Sequence, residues 1–144
     1  MSIVLANVTC VAIDGRAVLV EGPPGSGKSS LALALIDAGA QLVGDDGVTL
    51  AAKGDLLVAS PPPRIAGMIE VRGVGLVTLP TTSAPVALAI LLDEKTPRLP
   101  DGPGVAHWCG IAVPRLSLYP DAATLPLRTR WALRQHGTPL THRA

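Results

Sequence analysis

The sequence predicts an α/β fold: a single domain over residues 1–144, built as a β-rich mixed sheet with one buried helix behind a glycine-rich loop. Three observations predict it. Gly22-Pro23-Pro24-Gly25-Ser26-Gly27-Lys28-Ser29 has the G-x-x-x-x-G-K-S spacing of a phosphate-binding loop. Ala17-Val18-Leu19-Val20 before it reads as a short buried strand, and Leu31-Ala32-Leu33-Ala34-Leu35-Ile36 after it reads as a helix apolar nearly all round, hence buried. Elsewhere short strand-like runs outnumber helical ones, without the regular β–α alternation of a doubly wound sheet.

The elements follow in order. Val8–Ile13 is rich in β-formers, Asp14-Gly15 is a two-residue hairpin turn, and Ala17–Glu21 is the return strand. The loop and its helix come next, with Gly39 as the helix stop. Gln41-Leu42-Val43 is a further strand that runs into Gly44-Asp45-Asp46. Gly47–Leu50 and Leu56–Ala59 flank Lys53-Gly54-Asp55 as a hairpin, which Pro61-Pro62-Pro63 ends because proline cannot donate to a ladder. Between Ile65 and Val77 the spacing of Gly67, Gly73 and Gly75 argues against a helix. Val86–Leu92 is a buried strand, Thr96–Gly104 a proline-rich and mobile loop, and Ile111–Leu118 another strand. Thr124–Arg134, with Pro126 near its start, is the C-terminal helix.

Composition narrows the function. With 144 residues there is room for a real core, and a net charge of +1 does not mark a nucleic-acid binder. There is no Phe, and two Trp and one Tyr offer little surface for base stacking. No apolar run reaches the length of a membrane span, and the N-terminus lacks the basic region of a signal peptide, so a soluble cytoplasmic protein is expected. Cys10 and Cys109 lie far apart and read as buried thiols rather than a disulfide or zinc site. His107, His136 and His142 lack metal-ligand spacing and read as surface or loop residues. Trp108 reads as a core or interface anchor; Trp131, with Leu127 on the same helical stripe, fits either core or a docking face.

The loop has a specific chemistry. Its glycines let successive N–H groups turn inward toward anionic oxygens, and the helix that follows presents its positive end to the same place. Lys28 then reaches the terminal phosphates, and the Ser29 hydroxyl ligates Mg²⁺. Asp45-Asp46 ends the strand that follows the helix. An acidic residue there completes a Mg²⁺ site, and two adjacent carboxylates allow one to serve the metal while the other accepts a proton. An Asp-Asp-Gly turn opening a hairpin would look the same; the phosphate loop one strand away favours the functional reading. Glu70-Val71-Arg72-Gly73 read alone is a surface ion pair, although its flanking glycines also suit a backbone that approaches a ligand.

Together these features resemble the catalytic domain of HPr kinase/phosphorylase. The similarity runs through G-x-x-x-x-G-K-S at Gly22–Ser29, L-A-L-x-L-I-x-x-G-A at Leu31–Ala40, L-V-x-D-D at Leu42–Asp46 and I-x-G-x-I-E-V-R-G-x-G at Ile65–Gly75. The resemblance implies the P-loop fold shared with phosphoenolpyruvate carboxykinase, in a short form without the family's separate N-terminal domain. It implies ATP and Mg²⁺ as cofactors, an HPr-like phosphocarrier protein as partner, and neither nucleic acid nor membrane; homo-oligomerisation stays open. The implied activity is transfer of the γ-phosphoryl of ATP to a seryl hydroxyl of that carrier, with reverse phosphorolysis in many members.

By motif match, Gly22, Gly25, Ser26, Gly27, Lys28, Ser29 and Ser30 bind the nucleotide, and Ser29 and Glu70 hold the metal. Asp45 is the base for the serine hydroxyl, Asp46 supports it, and Arg98 in Pro97-Arg98-Leu99-Pro100 falls on a loop arginine linked to phosphate handling. Asn7 stands where many members carry histidine, and Ser30 replaces a common acidic residue. These departures bear on phosphorolysis and regulation rather than on the minimal kinase set. Two other classes remain open at this point: a small-molecule P-loop kinase, and a non-catalytic ATP-binding sensor.

Overall fold

A computed structural model describes residues 1–64, 66–97 and 102–140. The chain forms a strongly curled mixed sheet, a small separate hairpin and two helices. Strands β1 (Ser2–Ala6), β2 (Thr9–Ile13) and β3 (Arg16–Glu21) come first, followed by α1 (Lys28–Asp37) and β4 (Gln41–Gly44). The hairpin β5 (Gly47–Lys53) and β6 (Leu56–Ser60) precedes a two-stranded sheet of β7 (Met68–Val71) and β8 (Gly75–Thr78). Then come β9 (Ala84–Leu92), β10 (Gly104–Trp108), β11 (Ile111–Leu118) and α2 (Leu125–His136).

The main sheet runs β1-β5-β6-β9-β3-β2-β4, and the β10–β11 pair joins it through β9. β9 is the hub: it is antiparallel to β6 but parallel to both β3 and β11. Its residues are apolar on both faces because both faces are covered, as expected for a strand with parallel neighbours. The period-2 alternation of strands sorts the side chains into two cores. Val11, Val18, Val20, Leu88 and Ile90 face α1 and α2, where Leu31, Leu35 and Leu133 meet them. Cys10, Ala17, Leu19 and Ala89 point the other way, against Val48, Leu50, Leu57 and Val113. The β1–β5–β6 end of the sheet thus supplies the second core's other wall.

The hairpin at Asp14-Gly15 forms as expected, with Ile13 opposite Arg16 and both turn residues at positive φ. The strands expected at 41–43, 47–50, 56–59, 86–92 and 111–118 all form, as do both helices. The segment between Gly67 and Val77 is not helical: a three-residue loop at Arg72-Gly73-Val74 closes β7 onto β8. Three strand regions carried no sequence expectation: β1, β10 and the β7–β8 pair. β1 alternates exposed and half-buried residues and pairs only with β5, and β10 pairs only with β11. Both free thiols are confirmed, Cys10 buried and Cys109 half-buried. Burial pushes the Cys10 thiol well above its ordinary pKa. His107 lies exposed on β10 rather than in a loop, and His136 is the last residue of α2. Trp108 packs half-buried against the second core, whereas Trp131 and Leu127 are exposed on α2, with the Arg134 guanidinium 5.0 Å from the Trp131 ring centre. Among the described residues no helix is long and apolar enough to cross a membrane.

Candidate active site

The site lies where β3 ends, α1 begins and β4 turns into β5. The glycine-rich loop joins β3 to α1, and its bends need residues without a Cβ: Gly25 sits at φ 79° and Gly27 at φ 101°. Gly27 is also the N-cap of α1, and no side chain caps that end. The first amides of the helix therefore keep their hydrogen-bonding capacity for a bound anion. Within the loop the Ser26 N–H donates to the Pro23 carbonyl at 3.1 Å, while the Ser26 hydroxyl is buried and has no partner among the described residues. A buried hydroxyl without a partner is costly.

Lys28 opens α1 and folds back over the loop. Its Nζ donates to the Gly22 carbonyl at 2.8 Å and to the Pro23 carbonyl at 3.2 Å. Ser29 turns instead toward the acidic turn, where its hydroxyl donates to Asp45 Oδ1 at 2.7 Å. Thr9, at the start of β2, donates to the same oxygen at 3.0 Å.

A bulge delivers Asp45 to this point. β4 pairs Gly44 with Cys10 but Leu42 with Val11, so Val43 is an extra residue and the strand end is re-aimed. Asp46 follows in the left-handed conformation at φ 62°, which Asp tolerates better than most residues. Its carbonyl accepts the Asn7 N–H at 3.1 Å, tying the acidic turn to the β1–β2 corner.

A cleft of about 640 Å³ opens over these groups. Gly25, Gly27, Lys28, Ser29 and Ser30 line it, as do Asp45 and Asp46. Met68, Glu70, Arg72 and Leu76 of the β7–β8 hairpin close the far side. The structure thus brings Lys28, Ser29, Ser30, both aspartates and Glu70 together. Gly22 and Ser26 do not line the cleft, and Arg98 lies outside the described residues. Thr9, Leu33, Met68 and Leu76 were missed by sequence reasoning. For Thr9 the available signal was a hydroxyl residue opening an otherwise apolar strand.

One ion pair lies just before the loop. Arg115 Nη2 of β11 donates to Glu21 Oε1 at 3.1 Å across β9. Burial raises the Glu21 pKa above the usual carboxylate range, and Arg115 partly offsets that.

The HPr serine kinase C-terminal domain family model matches residues 4–83, which holds the loop, the acidic pair and the β7–β8 hairpin. The chain belongs to that family. Among relatives of this HPr kinase domain, HPr kinase/phosphorylase of Clostridium acetobutylicum is 41% identical over 85 residues, covering 59% of this chain and 27% of that protein. The protein of the same name from Exiguobacterium is 44% identical over 72 residues, covering 49% of this chain and 23% of its own length. This chain therefore spans about a quarter of the length of the curated relatives it matches. The solved structure of the Hpr(Ser) kinase/phosphatase from Coxiella burnetii superposes with a TM-score of 0.81 at 32% identity, over 93% of this chain and 90% of that one. The expected α/β fold is thereby shown over 93% of the chain, beyond the segment that the family model covers.

Proposed function

We propose that this HPr kinase domain is an ATP-dependent protein-serine kinase acting on an HPr-like phosphocarrier of the phosphotransferase system. One observation carries the reading: Lys28, Ser29, Asp45, Asp46 and Glu70, from separate elements, open onto a single cleft. The names of the relatives and of the Coxiella structure support the acceptor class.

On this reading the loop amides and the N-terminus of α1 hold the phosphate oxygens. Lys28 exchanges the Gly22 and Pro23 carbonyls for the terminal phosphates. The donor set fits Mg²⁺: Ser29 and the nearby carboxylates offer only oxygen. Bound there by Ser29 and Glu70, Mg²⁺ supplies charge neutralisation on the phosphates.

Asp45 accepts the proton of the acceptor seryl hydroxyl on its second carboxylate oxygen. The seryl oxygen bonds to the γ-phosphorus, the bond to the bridging oxygen breaks, and ADP leaves. Asp46 adds negative charge beside Asp45 and helps orient it. Arg98 is assigned to phosphate handling by its motif position alone. In phosphorolysis an oxygen of inorganic phosphate bonds to the phosphorus of the seryl phosphate, the bond to the seryl oxygen breaks as Asp45 returns the proton to it, and pyrophosphate leaves. ATP and the carrier place the reaction in the cytoplasm.

The test is transfer from γ-labelled ATP and Mg²⁺ to a purified HPr from the same cell, with the label mapped. Acid-stable label on one serine is expected. Label on a metabolite in preference to HPr, or tight ATP binding with no turnover, would overturn the reading.

A further inference from the structure

We propose that Thr9 is a positioning residue that sets the orientation of the Asp45 carboxylate. The inference rests on the reading of Asp45 as the base. Two hydroxyl protons, from Thr9 and Ser29, converge on Oδ1 at 3.0 and 2.7 Å. Among the described residues no group hydrogen-bonds Oδ2. The two donors therefore fix the carboxylate plane and leave one oxygen for an incoming hydroxyl.

The donors are not equivalent. Ser29 lies on the cleft wall and has a second duty toward the cation, which draws on the same hydroxyl. Thr9 has no such duty. It is 1% exposed, lies opposite Val20 in the β2–β3 ladder, and is β-branched, so its side chain has little rotamer freedom. It can hold Oδ1 whether or not Ser29 is engaged.

The backbone around Thr9 is fastened to the same turn. Ala6 pairs with Gly47 on one side of the two aspartates, and the Asn7 N–H reaches the Asp46 carbonyl at 3.1 Å. Asn7 itself bends at φ 63°, which carries the chain from the end of β1 to Thr9. The β1–β2 corner is thus part of the site, although only Thr9 directs a side chain at the acid.

Thr9→Val removes the hydroxyl and keeps the shape; Thr9→Ser keeps the hydroxyl. In Thr9→Val the kcat of phosphoryl transfer should fall about 10- to 100-fold, the usual cost of removing a group that orients a reacting one. The affinity for a fluorescent ATP analogue and the melting temperature should stay near wild type, and Thr9→Ser should recover most of the rate. Crystal structures of the two variants give a readout independent of activity. In Thr9→Val the Asp45 carboxylate should be rotated or disordered, and in Thr9→Ser it should keep its wild-type position. An undiminished kcat in Thr9→Val, or an Asp45 carboxylate unmoved in its crystal, would overturn the positioning role. If wild-type protein transfers nothing to HPr, the kinase reading fails, and the crystals still decide what Thr9 does to Asp45.

Discussion

At the scale of single residues, the proposed mechanism divides one carboxylate between two tasks. Oδ1 of Asp45 accepts from the Thr9 and Ser29 hydroxyls, and on that proposal Oδ2 serves the acceptor hydroxyl. A second carboxylate, Glu21, is restrained differently. Burial raises its pKa, so between its ordinary and raised values the native state binds more protons than the unfolded chain. Its contribution to stability is therefore full below the ordinary carboxylate range and is lost as pH rises through the raised pKa. The melting temperature of wild type minus that of Glu21→Gln should fall as pH rises from the ordinary carboxylate pKa through the raised one and then level off. A difference that stays flat or grows over that window would show that Arg115, not burial, controls this acid. The lone acids of the site were legible in the sequence because their motifs are local. The Thr9–Asp45 contact was not, because the two residues are 36 positions apart and meet only through sheet pairing.

At the scale of elements, the decisive piece is the end of β4. The bulge opposite Cys10 aims the strand, and Gly44 lets it turn: a Cβ there would overlap the Gly47 carbonyl oxygen and crowd Pro62. Gly44→Ala should cost about 1–3 kcal/mol of stability, as overpacking does, because backbone has to move. It should also displace Asp45 and lower transfer more than nucleotide binding. Denaturant unfolding and steady-state kinetics check both; a variant with wild-type values in each would mean that the turn is not constrained there. Strands with continuous apolar runs, such as β3 and β9, were plain in the sequence because burial on both faces leaves no alternation to confuse. The β7–β8 hairpin was not, since its four-residue strands are short, β8 is mostly exposed, and glycines crowd the turn between them. β1 was missed although Ile3-Val4-Leu5-Ala6 is an apolar run; it forms an edge strand that alternates exposed and half-buried residues.

At the scale of the whole molecule, two cores share one sheet, and β9 carries side chains into both. We expect the chain to unfold as one domain. Trp108 reports on the second core, and Trp131 sits on α2 above the first. Trp108→Phe and Trp131→Phe variants, each followed by fluorescence and circular dichroism, should give coincident denaturant midpoints. Separate transitions would show that the cores fold independently. The architecture was readable as a β-rich α/β sheet, but its curl was not, because closing the sheet over the second core depends on the long-range β5–β6–β9 pairing. The β3-β2-β4 order sets the glycine-rich loop near the acidic turn, the β7–β8 hairpin lines the same cleft, and the kinase reading depends on their working together. The most direct measurement is single-turnover transfer from γ-labelled ATP to HPr by wild type and by Asp45→Ala at matched ATP occupancy. Loss of about 100-fold or more in transfer, with ATP still bound, is the expected result for removal of a general base. Transfer at the wild-type rate by Asp45→Ala would contradict it.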